Sequence, residues 1–180
     1  MIHRIIFFLF LCFISHPAQA AIEKTAASCE DGICLHWWPV LPDIEGWHQD
    51  EKASYHYKLN AVAPDGFTFS NAETVIYARA LYKPRIPETK TLEMLITNDQ
   101  ADFLQSDSSI IITETTPLTT GDGKKMKSLT FFPGKSGNWE RVSYGEEGDF
   151  YLILTISSKT EAGYQKSLPS YKQLIWHYKE

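Results

Sequence analysis

The sequence predicts an α+β domain built from a mostly antiparallel sheet, with one internal helix and one C-terminal helix. Short apolar or alternating runs are separated by turn signals such as Pro-Asp-Gly and Gly-Asp-Gly, a pattern typical of antiparallel strands. Apolar residues recur at helical spacing in two places, once between the early and late runs and once near the end. The order of strands, helix, four-strand meander and helix favours a layered arrangement over a regular strand–helix alternation.

The first predicted elements of this domain are strands. Residues 54–59 alternate aromatic or aliphatic with polar side chains, which indicates a half-exposed strand. The Pro-Asp-Gly sequence at 64–66 predicts a turn, and residues 67–69 predict a short strand after it. Residues 74–82, TVIYARALY, predict a longer strand that is ended by two prolines just beyond it.

A helix is predicted to begin after Thr89 or Thr91, because either hydroxyl can cap the first turn. The polar residues 106–109 break its pattern, so the helix connects the first group of strands to the second. The side chains expected to face the core are Leu92, Leu95, Ile96 and Phe103.

The second group of strands is predicted as an antiparallel meander. Gly-Asp-Gly at 121–123 and Gly-Glu-Glu-Gly at 145–148 are its expected tight turns. The last strand-like run is apolar on both faces, which favours a central strand covered on both sides. The four runs are residues 110–115, 126–132, 139–144 and 150–157.

The C-terminal residues predict a helix in two pieces. Pro169 lies inside the helical pattern and lacks an amide hydrogen. We therefore expect a short helical piece from about Thr160 and a new helix that begins near Pro169. The residues whose spacing places them on one face are Leu168, Tyr171, Ile175 and Tyr178.

The N-terminal residues 1–20 have the three parts of a secretory signal peptide. A short start that contains Arg4 precedes an apolar run at 5–14, and an Ala-Gln-Ala sequence then offers a cleavage site after Ala20. Such an apolar run rises only about 15 Å as a helix, half of a bilayer's hydrocarbon core. A buried core helix is the alternative. We predict cleavage after Ala20 and a periplasmic or secreted protein without a transmembrane segment after cleavage.

Residues 21–53 are predicted to form a separate segment ahead of a single domain at 54–180. The segment is rich in cysteine and tryptophan and shows neither a helical nor a strand period, so it is predicted to be irregular. We expect it to wrap around the domain and to bury Trp37, Trp38 and Trp47 against it. The alternative is an exposed aromatic patch used for binding.

Cys29 and Cys34 are the two cysteines that remain after cleavage, and an exported protein meets an oxidising compartment. An intervening Asp-Gly turn suits their approach, so the sequence predicts one disulfide. A metal site that includes His36 and His48 is one alternative, but the spacing fits no common zinc pattern. A redox-active pair is another, although four residues separate the thiols instead of two.

Composition and motifs narrow the function classes. The chain has 180 residues, 43% of them hydrophobic, which suits one globular domain. Its net charge of −5 argues against a nucleic-acid partner, which requires a surplus of Lys and Arg. The sequence contains no nucleophile elbow, phosphate loop or dinucleotide fingerprint. We therefore predict no catalytic residue, no metal and no cofactor, and an enzyme is not favoured.

Two predicted strands carry the candidate binding residues. Tyr77 and Arg79 share one face of the first of these strands, and Trp139 and Arg141 share one face of the second. If both faces point to the same side of the sheet, the four side chains form an anion- or aromatic-binding patch. The alternative is that the arginines pair with glutamates of the meander, or that their aliphatic stems lie over the sheet.

The order of elements over about residues 54–180 resembles the PsbP-like α/β/α sandwich. The segments that carry the resemblance are TVIYARALYK, TLEMLITND, NWERVSYGEEGDFYLILTIS and LPSYKQLIWHYK. That family includes photosystem accessory proteins, Ran-binding import cofactors and small exported bacterial proteins. The resemblance implies a sandwich with a crossover helix and a role in binding or assembly. It contains no catalytic motif, so it implies no functional residue.

The function expected from the sequence is an exported non-enzymatic domain that binds a protein or an envelope component, or assists an assembly. A protein that binds a small aromatic or anionic ligand in a cleft between sheet and helix is the first alternative. A small hydrolase is the second, and it needs a base such as His56 or His177 within reach of a nucleophile. An aromatic-lined pocket favours the ligand carrier, whereas a strongly perturbed titratable group in a cleft favours the enzyme.

Overall fold

The computed structural model describes residues 22–29, 32–135 and 137–178. It folds them into nine strands, three α-helices and one short 3-10 helix at Lys83–Arg85. The strands are β1 (Ile22–Cys29), β2 (Gly32–Pro39), β3 (Trp47–Gln49), β4 (Asn60–Pro64), β5 (Thr74–Tyr82), β6 (Ile111–Thr119), β7 (Lys125–Phe132), β8 (Trp139–Glu147) and β9 (Phe150–Ser158). The helices are α1 (Glu51–Tyr57), α2 (Leu92–Ser106) and α3 (Glu161–His177).

Seven strands form one sheet in the order β3-β4-β5-β9-β8-β7-β6, and the neighbouring strands are antiparallel. β1 and β2 pair with each other as a separate hairpin. Helix α2 connects β5, inside the sheet, to β6 at its edge, and α3 follows the central strand β9. The predicted α+β class, with a C-terminal helix packed on an antiparallel sheet, is confirmed.

Each face of the sheet has its own apolar cluster. On one face, which we call the α2 face, Leu95 and Ile96 of α2 pack with side chains of β7, β8 and β9. On the opposite face, the α3 face, Tyr171 and Leu174 of α3 pack with Ile156 and its neighbours. The central strand β9 is buried on both faces, as its sequence predicts. Burial of apolar area on both sides of β9 stabilises the fold.

The segment at 21–53 is not irregular, in contrast to the prediction. Its described part contains the β1–β2 hairpin, the edge strand β3 and the start of α1. The sequence did not predict the hairpin, because its residues show no regular alternation of hydrophobicity. The tryptophans do lie against the domain: Trp38 is 5% exposed, and Trp37 and Trp47 pack at the margin of the α3-face cluster.

Residues 54–59 do not form the predicted strand, because most of them belong to α1. The Asp50 carboxylate caps this helix by accepting a hydrogen bond from the Ala53 amide at 3.0 Å. Lys58 ends the helix with a positive φ of 58°, which turns the chain toward β4. A local cap thus overrides a period-two pattern that extends over only a few residues. The predicted strand at 67–69 is absent too, since these residues form a loop.

The longest predicted strand and the internal helix agree with the structure. β5 has the predicted bounds, and α2 begins after Thr91, whose hydroxyl accepts a hydrogen bond from the Met94 amide at 3.2 Å. The meander is also present, but the turn predicted at 145–148 is wrong. β8 continues to Glu147, and the chain turns just after it. Gly145 instead lies within β8, where an added Cβ would be 3.2 Å from a Met126 side-chain atom.

Helix α3 continues through Pro169, whereas the sequence predicted a break there. A proline inside a helix removes one hydrogen bond and costs about 3 kcal/mol. Buried side chains flank Pro169 on both sides, among them Tyr164, Tyr171 and Leu174. Their burial against the sheet outweighs the lost hydrogen bond and keeps the helix continuous.

The predicted signal peptide at 1–20 and the predicted cleavage site after Ala20 lie outside the described residues. The side chain of Cys29, one half of the predicted disulfide, also lies outside them. The disulfide between Cys29 and Cys34 therefore stays a prediction. Among the residues that the structure describes, no helix combines the length and the apolar character needed to cross a membrane.

Candidate functional site

An open cleft of about 520 Å³ lies on the α2 face of the sheet. β5, β8 and β9 contribute its floor, and the end of α1 and the loop before β5 form one wall. Helix α2 covers the β7 and β8 part of the same face. The polar and aromatic side chains that line the cleft include Tyr57, Phe69, Tyr77, Arg79, Asn138, Glu140, Ser157 and Lys159.

Antiparallel pairing arranges the floor in three rows across β5, β9 and β8. The first row contains Val75, Ser157 and Glu140, the second Tyr77, Thr155 and Val142, and the third Arg79, Ile153 and Tyr144. Side chains on a strand alternate between the two faces, and residues paired across strands share a face. Each row therefore brings at least one polar group to the α2 face.

The structure places the four predicted binding residues on two different faces. Tyr77 and Arg79 lie on the α2 face and line the cleft. Trp139 and Arg141 pair with β9 residues that belong to the α3 face. The predicted four-residue patch is therefore not formed. Alternation within each strand was predictable, but the register between strands, which sets their relative faces, was not.

Arg141 and Trp139 have structural surroundings on the α3 face. Arg141 is 6% exposed, and its Nη2 donates a hydrogen bond to the Thr116 carbonyl at 2.7 Å, where β6 has a bulge. Trp139 packs against Phe132 with ring centroids 4.6 Å apart. Arg141 thus binds a backbone carbonyl, not the glutamates that the alternative named.

Three aromatic side chains, which we call the aromatic wall, stand along the cleft: Tyr57, Phe69 and Tyr77. The ring centroids of Tyr57 and Phe69 are 5.5 Å apart, and those of Phe69 and Tyr77 are 6.1 Å apart. Asp50 anchors this wall, since one carboxylate oxygen caps α1 and the other accepts a hydrogen bond from the Phe69 amide at 2.9 Å. The amides of Phe69 and Ala53 hold the pKa of Asp50 below its ordinary value.

Arg79 is the cation at the third row of the floor. It is exposed, and it forms no hydrogen bond or ion pair with any residue that the structure describes. Burial raises the pKa of Asp99 on α2 and of Glu140, and the charge of Arg79 offsets only part of this rise. Burial also raises the pKa of Tyr77, which therefore stays a neutral phenol. The guanidinium is thus available to an anionic ligand.

The two carboxyl groups near the cleft accept hydrogen bonds from neutral side chains. Glu140 accepts one from the Ser157 hydroxyl at 2.5 Å, and Ser157 accepts one from the Asn138 amide at 2.9 Å. Asp99 accepts a hydrogen bond from the Tyr144 hydroxyl, which fastens α2 to the sheet. The first of these networks lies in the cleft, on β8 and β9, whereas Arg79 lies on β5.

Sequence reasoning missed most of the cleft. Tyr57 and Phe69 were not recognised because their segments were predicted as strands, and the glutamates of the meander, which include Glu140, were considered only as ion-pair partners. One usable signal existed in β9, where Thr155 and Ser157 place two hydroxyls on one face of an otherwise apolar strand. Hydroxyls on a buried central strand indicate polar neighbours on the adjoining strands.

The geometry bears on the metal alternative, whereas the redox alternative stays untested because the side chain of Cys29 lies outside the described residues. Within the described ranges 22–29, 32–135 and 137–178, no group of three or more His, Cys, Asp or Glu side chains could hold a metal ion. His36 lies in β2 and His48 in β3, where its Nδ1 is 3.4 Å from the Asp65 carboxylate. Burial, followed by the charges of Lys58 and Arg85, lowers the pKa of His36.

The histidines that the hydrolase alternative named are not part of the cleft lining. His56 packs against the ring of Tyr57 with centroids 4.6 Å apart, and His177 ends α3. A histidine base for a nucleophile in the cleft is therefore not provided by either residue.

No protein-family model matches this chain, and no curated protein matches it. The PsbP-like resemblance therefore stays a prediction. The functional interpretation depends on the chemistry of the cleft.

Proposed function

We propose that this protein is an exported, non-enzymatic domain that binds a small ligand in the cleft of the α2 face. The observation that carries the proposal is Arg79, a guanidinium without a hydrogen bond or ion pair among the described residues, in a cleft with an aromatic wall. Ligand sites are typically clefts of about 300–1,000 Å³ with mainly apolar walls and a few polar groups. The volume of this cleft lies within that range, and its lining combines the aromatic wall with four charged side chains: Glu73, Arg79, Glu140 and Lys159.

The raised pKa values of Asp99 and Glu140 are the feature that an enzyme would share. Both groups, however, accept hydrogen bonds from neutral side chains of the fold. The acid–base histidine that the hydrolase alternative requires is not in the cleft lining. The groups in the cleft therefore favour ligand binding over catalysis.

Export and one disulfide are part of the proposal. The three-part pattern at 1–20 supports export to an oxidising compartment. The even number of cysteines after residue 20 and the Asp-Gly sequence between Cys29 and Cys34 support the disulfide. We expect the secreted chain to be two hydrogens lighter than its fully reduced form.

Docking of a protein or an envelope component is the second candidate. The observation that favours it is the β1–β2 hairpin, where Ile33 is 79% exposed and Leu35 is 36% exposed. Exposed apolar groups next to each other are common at interaction surfaces. The PsbP-like resemblance, with its binding and assembly factors, supports this candidate as well.

Native mass spectrometry of the mature chain, residues 21–180, purified gently from its export compartment, tests the proposal. We expect a bound organic mass on the wild type and at least a tenfold lower occupancy on Arg79→Gln, because the ligand's anionic group loses its partner. Lys172→Gln is the matched control, since Lys172 is exposed on α3, on the opposite side of the sheet.

The proposal fails if the wild type carries no organic mass and also binds neither 3-phenylpropanoate nor the zwitterion phenylalanine at millimolar concentration in calorimetry. Equal occupancy of the wild type and Arg79→Gln would place the ligand outside the cleft.

A further inference from the structure

Opposite charges lie at two separate places on the floor of the cleft. Glu73 and Lys159, which also line it, are one acid and one base, so together they add no net formal charge. Arg79 lies in the third row on β5, and Glu140 lies in the first row on β8, with β9 between them. Two rows correspond to about 13 Å along the strands, and two strand spacings add about 9.5 Å across them. The two Cα atoms are therefore about 16 Å apart. Both side chains line the same cleft.

The space between the two charges suits a ligand of peptide length. An extended peptide spans at most about 3.6 Å per residue, so two or three residues span about 7–11 Å. Side chains stand roughly perpendicular to a sheet, so the remainder of the Cα–Cα distance corresponds to two charge-assisted contacts of about 2.8 Å, one at each end of the ligand. A ligand of this length reaches both charges without leaving the cleft.

The charge pattern favours a zwitterion over a simple anion. A carboxylate can form two parallel hydrogen bonds with the Arg79 guanidinium. An anion without a positive group is also repelled by Glu140 whenever that carboxyl group is ionised, because both would lie in the same cleft. Burial raises the pKa of Glu140, and a ligand ammonium beside it would stabilise its ionised form. A molecule with both charges therefore complements both ends of the cleft.

The aromatic wall lies between the two charged ends. Tyr77 occupies the second row of the floor, and Phe69 and Tyr57 continue the aromatic surface toward α1. An aromatic or large aliphatic side chain of the ligand can lie against these rings. Asn138 and Ser157, which are next to Glu140, offer polar groups to a peptide backbone.

We infer that the cleft binds a short zwitterionic peptide of two or three residues, an inference that rests on the proposed function. The terminal carboxylate of the peptide pairs with Arg79, and its terminal ammonium lies beside Glu140. An aromatic or large aliphatic side chain of the peptide contacts the aromatic wall.

Calorimetry with matched tripeptides tests this inference. The probes are Ala-Phe-Ala, its N-acetyl form and its C-terminal amide, and the proteins are the wild type, Arg79→Gln, Glu140→Gln and Lys172→Gln. The wild type should bind the free tripeptide about tenfold more tightly than either blocked form. N-acetylation should have no effect on Glu140→Gln, and amidation none on Arg79→Gln, because each variant lacks the partner of the blocked group. Lys172→Gln should behave as the wild type.

Equal affinity of the wild type for the free and the blocked tripeptides would overturn the inference, as would the absence of binding to all three. Neither result removes the organic mass expected in native mass spectrometry, so failure of the inference and failure of the proposed function are distinguishable. Circular dichroism verifies the folding of each variant. If Arg79→Gln does not fold, Arg79→Lys replaces it, with a smaller expected loss because lysine keeps the charge but not the forked donors.

Discussion

The two faces of the sheet use arginine in opposite ways. On the α3 face, Arg141 is buried and donates to a backbone carbonyl of β6. On the α2 face, Arg79 is exposed and has no hydrogen bond or ion pair with the described residues. A 17-residue helix covers the α3 face, whereas α2 leaves the β5 side of its own face open. The arginine that a helix covers, Arg141, thus stabilises the fold through its hydrogen bond. The arginine on the open floor, Arg79, is available to a ligand.

Replacement of Arg141 by alanine should cause the largest loss of stability. The variant leaves the Thr116 carbonyl without its donor and creates a cavity on the α3 face. The free energy of unfolding, measured by urea denaturation, should fall by about 3 kcal/mol. Arg79→Ala removes the same side chain from the open face and should change this free energy by less than about 0.5 kcal/mol. Similar losses in the two variants would contradict the difference between the faces.

Removal of a tyrosine hydroxyl from each face sharpens the comparison. The Tyr171 hydroxyl is buried, donates to the Leu154 carbonyl at 2.8 Å and lies 2.8 Å from the Ser143 hydroxyl. Tyr171→Phe should therefore lower the free energy of unfolding by about 1–2 kcal/mol. Tyr57→Phe should change it by less than about 0.5 kcal/mol, because Tyr57 is 49% exposed. Thermal unfolding of both variants measures the difference. An equal loss of stability in Tyr57→Phe would show that the Tyr57 hydroxyl stabilises the fold as much as the buried Tyr171 hydroxyl does.

The fold was more predictable from the sequence than the cleft. β5 and the start of α2 were predicted well because alternation and capping depend on residues close in sequence. The cleft depends on contacts between distant segments, such as the hydrogen bond from the Phe69 amide to Asp50, 19 residues away. It also depends on register. A shift of one residue between β5 and β9 would move both Tyr77 and Arg79 from the α2 face to the α3 face, away from the cleft.

Asp50 is the residue that joins the open face to the body of the fold. Asp50→Ala removes the cap of α1 and the anchor of Phe69, so the free energy of unfolding should fall by about 1 kcal/mol. Binding of the tripeptide probe should weaken as well, because the aromatic wall loses its support. Asp50→Asn is the milder control, since its single carbonyl oxygen can replace only one of the two acceptors. Loss of stability without any loss of binding would separate Asp50 from the cleft.

Acidification offers a second measurement on Asp50. Its pKa is lowered in the folded state, so its stabilising contribution is present above the unfolded pKa and is lost as the pH falls through the folded pKa. The difference in thermal stability between the wild type and Asp50→Asn should therefore shrink between pH 7 and pH 3, roughly the range in which aspartates titrate. A constant difference over that range would mean that the charge of Asp50 has no part in the anchor.

Glu140 should give the smallest effect, and its sign should be opposite. Burial raises its pKa, so over the range between the unfolded and the folded pKa the folded protein binds more protons, and stability falls as the pH rises. Glu140→Gln removes this cost and keeps an acceptor for the Ser157 hydroxyl. The variant should therefore be slightly more stable than the wild type at pH 7, and this gain should disappear below the unfolded pKa. A less stable Glu140→Gln at pH 7 would mean that Glu140 supports the fold as Arg141 does. Glu140→Gln can also be tested with the tripeptides. If the variant gains stability and no longer prefers the free tripeptide to its N-acetyl form, the Glu140 carboxylate lowers the stability of the fold but contributes to ligand binding.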